Sequence, residues 1–250
     1  VAGLVAARNE AEFLEVNAGG TRRLLEASGE ASRFVLVSSL AAAGPAIRGR
    51  PLTGAEPPRP VTQYGRSKLA AEEVVRSGPT PWTIVRPPAV YGPRDREMFR
   101  LFRSAQLGVA PVFGAGDQEL SLVYGPDLTE AIAAIGTSPT AAGRIYYPAH
   151  PELVTTQELV RTIGRAMGRE VRVIRIPEAV GRGVLQITGA IARLGDRPTI
   201  LTPDKAREFF QPAWTCDPAS LAADTGWQAG RDLATGAAET IAWYRREGWL

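Results

Sequence analysis

Two short apolar runs separated by a helical stretch constrain the fold of this chain more than any other feature. The segment "RFVLVSSLA" begins at Arg33 and "WTIVRPPAVYG" begins at Trp82. Nearly continuous apolar runs of this length are typical of strands buried on both faces. The second run ends in a proline pair that a strand interior would not tolerate. Helical stretches over residues 10–27 and 63–76 precede the two runs, so helix and strand alternate and predict a doubly wound α/β fold with a parallel sheet.

The second half of the chain has a different pattern. Residues 94–116 are irregular, and "LSLVYGPDL" predicts a short strand followed by a helix with Asp127 as its N-cap. After the strand "RIYYPA", Thr155 and Glu158 have the spacing of a capping box that opens a helix. The alternating strand "VRVIRI" follows, and Pro177 opens a long apolar helix. This part of the chain predicts a smaller α+β unit.

Composition excludes several classes of function. His150 is the only histidine, which removes most histidine-based metal sites and catalytic triads, so we expect no metal. Cys216 is the only cysteine, which fits a reducing compartment and a cytoplasmic location. A net charge of +3 without a run of five like charges indicates no nucleic-acid partner. The most apolar segment, from Ala179, is short for a membrane span and interrupted by arginines, so an amphipathic helix or a lid over an apolar site is expected.

Tyr64 and Lys68 stand four residues apart in one predicted helix, where their side chains are neighbours. A nearby ammonium favours the phenolate and should lower the pKa of Tyr64 toward neutrality, where proton transfer is most effective. A surface cation–π contact would explain the same spacing. Ser39 ends the preceding buried strand, where it could instead satisfy backbone groups. Because ligands bind beyond the carboxyl ends of parallel strands, we expect the hydroxyl, the phenol and the ammonium to converge on one site.

Four segments in this order and spacing, "VNAGGTRRLLEAS", "RFVLVSSLAAAGP", "YGRSK" and "VRPPAVYGP", resemble the extended short-chain dehydrogenases/reductases of the NAD-dependent epimerase/dehydratase family. The resemblance extends over essentially the whole chain and implies a Rossmann-like sheet and NAD or NADP as cofactor. It implies three catalytic residues: Tyr64 exchanges a proton, Lys68 holds the nicotinamide ribose, and Ser39 binds the substrate oxygen. Asn17 is expected to anchor backbone. The cofactor-binding residues that the resemblance implies are Ala2, Gly3, Tyr64, Lys68, Pro87 and Pro88.

The same resemblance divides the chain. Residues 1–150 are expected to form the dinucleotide-binding domain, with 94–117 contributing to the substrate side, and residues 151–250 a substrate domain. Family members begin with a strand and a Gly-x-x-Gly-x-x-Gly turn that holds the pyrophosphate, and the sequence contains no such turn. We therefore expect an N-terminally truncated piece that binds cofactor poorly by itself. A homodimer is compatible with the family.

The departures from the family bear on the substrate. Leu120 and Ala89 stand near positions where nucleotide-sugar epimerases carry polar anchors, and Leu40 and Ala41 stand where dehydratases carry an acid. The hydroxysteroid-dehydrogenase-like and dihydroflavonol-reductase-like branch is therefore favoured: an NAD(P)-dependent oxidoreductase that interconverts an alcohol and a ketone or aldehyde on a small molecule, an apolar one included. The alternatives are an NAD-dependent sugar epimerase and a non-catalytic dinucleotide sensor, although a sensor has no need of Ser39, Tyr64 and Lys68 together.

Overall fold

The computed structural model of the chain describes residues 3–29, 31–191, 199 and 202–250, and the backbone of 192–194. The strands are β1 (Phe34–Val37), β2 (Trp82–Val85), β3 (Ala89–Tyr91), β4 (Val109–Phe113), β5 (Glu119–Leu120), β6 (Leu122–Tyr124), β7 (Arg144–Tyr146), β8 (Val154–Thr155), β9 (Arg172–Ile176) and β10 (Ala213–Trp214). The helices are α1 (Glu10–Leu14), α2 (Gly20–Ala27), α3 (Leu40–Ala43), α4 (Gln63–Ser77), α5 (Phe99–Gln106), α6 (Gly125–Thr137), α7 (Thr156–Ala166), α8 (Glu178–Leu194), α9 (Ala206–Phe209), α10 (Ala219–Thr225) and α11 (Leu233–Arg246).

A parallel sheet in the order β1–β2–β7 forms the centre of the first half, which confirms the predicted α/β class. Phe34 pairs with Trp82 and Val85 pairs with Tyr146, so the three strands end at one edge. Burial is less complete than expected: β2 is buried over its last three residues, but alternate residues of β1 are only half-buried. The inner face of β1, with Phe34 and Leu36, packs against α4.

The helical stretch predicted over residues 10–27 is confirmed as one run of helix. It joins α1 to α2 through a π-helical turn, Glu15–Gly19, which buries Asn17. The Asn9 side chain caps its start by accepting from the Glu12 amide. α4 begins after Thr62, whose hydroxyl accepts from the Gly65 amide at 3.2 Å. Both helices lie beside β1, so they position the residues that flank the strand's end.

Two expectations for the second half are wrong. Residues 94–116 are not irregular: they contain α5 and β4, and β4 pairs in parallel with β9 along its whole length. Asp127 is not an N-cap, since α6 begins two residues earlier at Gly125. Asp127 is instead buried in the first turn, where its carboxylate accepts from the backbone and the guanidinium of Arg231, at 2.9 and 2.8 Å. A cation from a distant segment therefore satisfies this carboxylate.

Other local predictions are confirmed. Thr155 and Glu158 form the capping box of α7, and α8 begins directly after Pro177. The remaining strands form a parallel pair, β3–β6, and a small mixed sheet in the order β10–β5–β8. α11 covers this part with an aromatic core that includes Tyr91, Phe102 and Tyr244. Among the described residues, no helix combines the length and apolarity needed to cross a bilayer.

Candidate active site

Ser39 lies where β1 ends and α3 begins. Its hydroxyl caps α3 by accepting from the Ala41 amide at 3.2 Å, so Ser39 does satisfy a backbone group, which was the alternative role for this side chain. The same side chain also lowers the pKa of Tyr64, against the effect of burial. Next to it, the Leu40 amide donates to the Pro87 carbonyl at 2.9 Å, which joins the ends of β1 and β2. Ser39 is half-buried and thus faces the sheet edge where ligands of such folds bind.

Tyr64 and Lys68 lie on one face of α4, as their spacing predicts. Tyr64 is half-buried, and its ring centroid lies 6.0 Å from that of Phe13. Lys68 is buried, and its ammonium donates to the Val37 carbonyl at the end of β1, at 2.7 Å. The structure therefore brings the hydroxyl of Ser39, the phenol of Tyr64 and the ammonium of Lys68 to the end of one strand.

The pKa values differ from the simple expectation. Burial raises the pKa of Tyr64 to about 12; the Ser39 hydrogen bond opposes this shift and the Glu208 carboxylate adds to it. Burial lowers the pKa of Lys68 to about 8, against the attraction of Glu72. The expected lowering of the Tyr64 pKa by Lys68 is therefore wrong, because burial dominates and the nearby Glu208 charge acts in the same direction as burial. The phenol stays protonated at neutral pH.

A buried ion pair lies directly behind these residues. Glu72 is 0% exposed and Arg86 is 1% exposed. The Glu72 carboxylate accepts from Arg86 Nε at 2.9 Å, from Arg86 Nη2 at 2.7 Å and from Ser38 Oγ at 2.6 Å. Glu72 thus ties α4 to the ends of β1 and β2, the three elements that carry the candidate site.

The residues assigned to the cofactor are partly described. Ala2 lies outside the described residues. Gly3 has φ +156°, and a Cβ there would lie 3.0 Å from Asn17 Oδ1. Asn17 accepts from the Leu4 amide at 2.8 Å and donates to the Leu4 carbonyl at 3.1 Å, so its predicted role in anchoring backbone is confirmed. Pro87 and Pro88 are both buried between β2 and β3.

These residues fit the nicotinamide-ribose end of a dinucleotide. An ammonium has three N–H donors, and the described residues supply one acceptor for Lys68, the Val37 carbonyl. The other donors are available for ribose hydroxyls beside Tyr64. For a metal the described part of the chain offers no site, since it contains no group of three His, Cys, Asp or Glu side chains that could hold one.

A cleft of about 240 Å³ opens beside Tyr64. Its walls come from residues 5–8, Phe13, Gly189 of α8, and Thr202–Lys205. Lys205 Nζ lies 5.9 Å from the centroid of the Tyr64 ring and pairs with Glu208. A larger cavity of about 550 Å³, near residues 53–58, contains none of Ser39, Tyr64 and Lys68. We place the site at the smaller cleft because Tyr64 lines it.

Sequence reasoning missed the segment that closes this cleft. Glu208 accepts from the Thr62 hydroxyl at 2.7 Å, and Asp204 accepts from the Gln63 amide at 2.8 Å. Both contacts join the start of α4 to residues about 140 positions away, and no local pattern announces them. They place a carboxylate and an ammonium beside Tyr64.

Comparison with known proteins agrees with this geometry. Residues 2–147 match the NAD dependent epimerase/dehydratase family. The chain is 32% identical over its whole length to the ceramide reductase of Caulobacter vibrioides (strain NA1000 / CB15N), of which it covers 74%. Other curated relatives are covered over about half of their length.

Solved structures share the fold. MoeE5 in complex with UDP-glucuronic acid and NAD has a TM-score of 0.74 at 23% identity, over 95% of this chain and 73% of that one. RMD from Pseudomonas aeruginosa complexed with NADPH has a TM-score of 0.75 at 19% identity, and the match covers 98% of this chain and 80% of that one. The fold is thus the Rossmann-like fold of enzymes that bind NAD or NADPH. This chain belongs to the NAD-dependent epimerase/dehydratase family, within the extended short-chain dehydrogenases/reductases.

Proposed function

We propose that the protein is an NAD(P)H-dependent reductase that converts a ketone of an apolar, long-chain substrate to an alcohol. One observation carries the proposal: the buried ammonium of Lys68 donates to the Val37 carbonyl at the end of β1, next to Ser39, and Tyr64 lies one helical turn from Lys68 on the same face of α4. Tyr64 would be the proton donor, Ser39 the hydrogen-bond partner of the carbonyl oxygen, and Lys68 the cation, all at the end of β1.

Each residue has a distinct task. NAD(P)H, when bound beside Lys68 and Tyr64, would supply the hydride that reduces the carbonyl carbon. Tyr64 gives its phenolic proton to the carbonyl oxygen as that oxygen gains charge, while the Ser39 hydroxyl orients it. Lys68 holds the ribose hydroxyls and offsets the negative charge that develops on Tyr64. Glu72 and Arg86 fix Lys68 and the strand ends behind it.

The protonation state of Tyr64 favours reduction. Because burial raises the pKa of Tyr64 to about 12, the phenol carries its proton at neutral pH and acts as an acid. The reductive direction that we propose uses the phenol in this protonated form.

The substrate class is supported by the ceramide reductase relative and by the apolar part of the cleft lining, which includes Val5, Phe13 and Pro203. Leu120 and Ala89, where sugar epimerases carry polar anchors, pack against the aromatic core and offer no donor. A ceramide-like keto lipid is therefore the preferred substrate. We further propose a dinucleotide-binding domain at residues 1–150 and a substrate domain at residues 151–250. We also propose a homodimer, a cytoplasmic location, and either NADH or NADPH as the cofactor.

The test is the loss of NAD(P)H absorbance with a ceramide-like keto lipid in detergent micelles, at millimolar cofactor. We expect turnover that Tyr64→Phe lowers at least about a hundredfold, since general acid catalysis contributes 10²–10⁴. Tyr146→Phe is the matched control, because it also removes a phenol hydroxyl. That hydroxyl donates to Asp224 at 2.7 Å and does not line the cleft, so this variant should retain activity. Full activity of Tyr64→Phe would refute the assignment.

The second candidate function is epimerisation of a nucleotide sugar, favoured by the structural likeness to MoeE5. It needs the same Tyr64 but oxidises and re-reduces its substrate, so no cofactor is consumed. Incubation with UDP-sugars, followed by chromatography of the products, separates the two: an epimer formed without net NAD(P)H loss would replace the reductase proposal.

A further inference from the structure

The outer face of α8 is an apolar stripe. Its four members are exposed: Val180 at 56%, Val184 at 47%, Ile187 at 62% and Ile191 at 63%. They recur at intervals of four, three and four residues, so they lie on one side of the helix. Contiguous exposed apolar side chains on a protein mark a binding surface. We call these four residues the α8 stripe.

The inner face of the same helix borders the candidate site. A Cβ on Gly181 would lie 2.8 Å from the Phe210 ring and 2.9 Å from the Phe113 ring, and Leu185 is fully buried. One turn further, Gly189 packs on Pro203 and lines the cleft that holds Tyr64. A single helix therefore separates the cleft from the stripe, and both of its faces are apolar.

Charge around α8 differs from that of the rest of the chain. From the start of β9 to the end of α8, residues 172–194, the sequence has four Arg and one acidic residue, Glu178, which pairs with Arg182, against 29 basic and 26 acidic residues in the whole chain. Arg172 and Arg175 on β9, which leads into α8, are exposed. A surface that joins apolar side chains to excess positive charge complements an anionic lipid surface.

We propose that the α8 stripe docks on the surface of an anionic lipid bilayer, with α8 lying in the interface plane, and that a long-chain substrate passes from the bilayer to the cleft along this helix. This inference rests on the proposed function, which requires a substrate that is poorly soluble in water. A second copy of the chain fits less well, because the stripe exposes roughly 400 Å², about half of the ~800 Å² that each partner buries in a standard protein interface.

The test is flotation of the protein with vesicles of phosphatidylcholine containing phosphatidylglycerol, compared with phosphatidylcholine alone. Ile187→Glu is compared with Gln186→Glu, its exposed neighbour on the same helix. Both add one negative charge, but only the first removes an apolar side chain from the stripe. We expect wild-type binding to anionic vesicles that weakens with salt, and a partition coefficient about tenfold lower for Ile187→Glu than for Gln186→Glu.

The outcomes are distinct. Absence of wild-type binding, or equal binding of the two variants, overturns the inference. So does a dimer that Ile187→Glu converts to a monomer in sedimentation velocity while vesicle binding persists, because the stripe then serves a second copy. Reduction of the keto lipid in micelles without vesicle binding refutes this inference alone. Vesicle binding without any reduction refutes the proposed function and the substrate route along α8, and supports only the docking of the α8 stripe.

Discussion

Replacing Glu72 by glutamine removes the charge that holds the back of the candidate site together. The carboxylate is 0% exposed and receives two hydrogen bonds from Arg86, at 2.9 and 2.7 Å, and one from Ser38 at 2.6 Å. Glu72→Gln leaves the guanidinium of Arg86, itself 1% exposed, buried without a counter-charge. Removing one partner of a buried pair costs about 3–5 kcal/mol, so we expect a loss of this size in the free energy of unfolding.

Urea unfolding followed by circular dichroism measures this loss. The matched control is Glu73→Gln, the same change at the adjacent exposed position, which should stay within about 0.5 kcal/mol of wild type. The double variant Glu72→Leu/Arg86→Met removes both charges and should lose less than Glu72→Gln alone. A loss below about 1 kcal/mol for Glu72→Gln would refute the reasoning, since it would mean that water or another carboxylate neutralises Arg86.

Two further predictions follow from the pKa values. Burial lowers the pKa of Lys68 from 10.5 to about 8. Between these two pH values the unfolded chain binds more protons than the folded chain, so the free energy of unfolding rises with pH. The free energy of unfolding of wild type minus that of Lys68→Met should therefore rise across this window, and a constant difference would contradict the prediction. Burial raises the pKa of the Cys216 thiol to about 12, so a thiol reagent should modify it only as the protein unfolds; equal labelling rates in buffer and in urea would show that Cys216 is accessible.

The features that the sequence could predict are local ones. The alternation of helix and strand, the capping box of Thr155 and Glu158, and the one-turn spacing of Tyr64 and Lys68 depend on residues within a few positions of one another. Periodicity and side-chain chemistry are enough to identify them. The position of Ser39 followed from one topological rule, that parallel strands end at a common edge.

The features that escaped depend on distant partners. Asp127 has the chemistry of a helix cap, but Arg231, 104 positions away, neutralises it inside the helix. β4 is recognisable only through its pairing with β9. The pKa of Tyr64 was expected to fall because the spacing shows Lys68, whereas the burial that dominates this pKa comes from tertiary packing. Electrostatics set by burial cannot be deduced from spacing alone.

The measurement that most directly tests the account uses NADH and NADPH in which both hydrogens at C4 of the nicotinamide are replaced by deuterium. Mass spectrometry of the alcohol formed from a ceramide-like keto lipid follows the label. We predict one deuterium at the carbinol carbon with wild type, and formation at least about a hundredfold slower with Tyr64→Phe, although the variant still quenches tryptophan fluorescence on cofactor binding as wild type does. Unlabelled alcohol, or equal rates for the two proteins, would contradict a reductase that works through Tyr64.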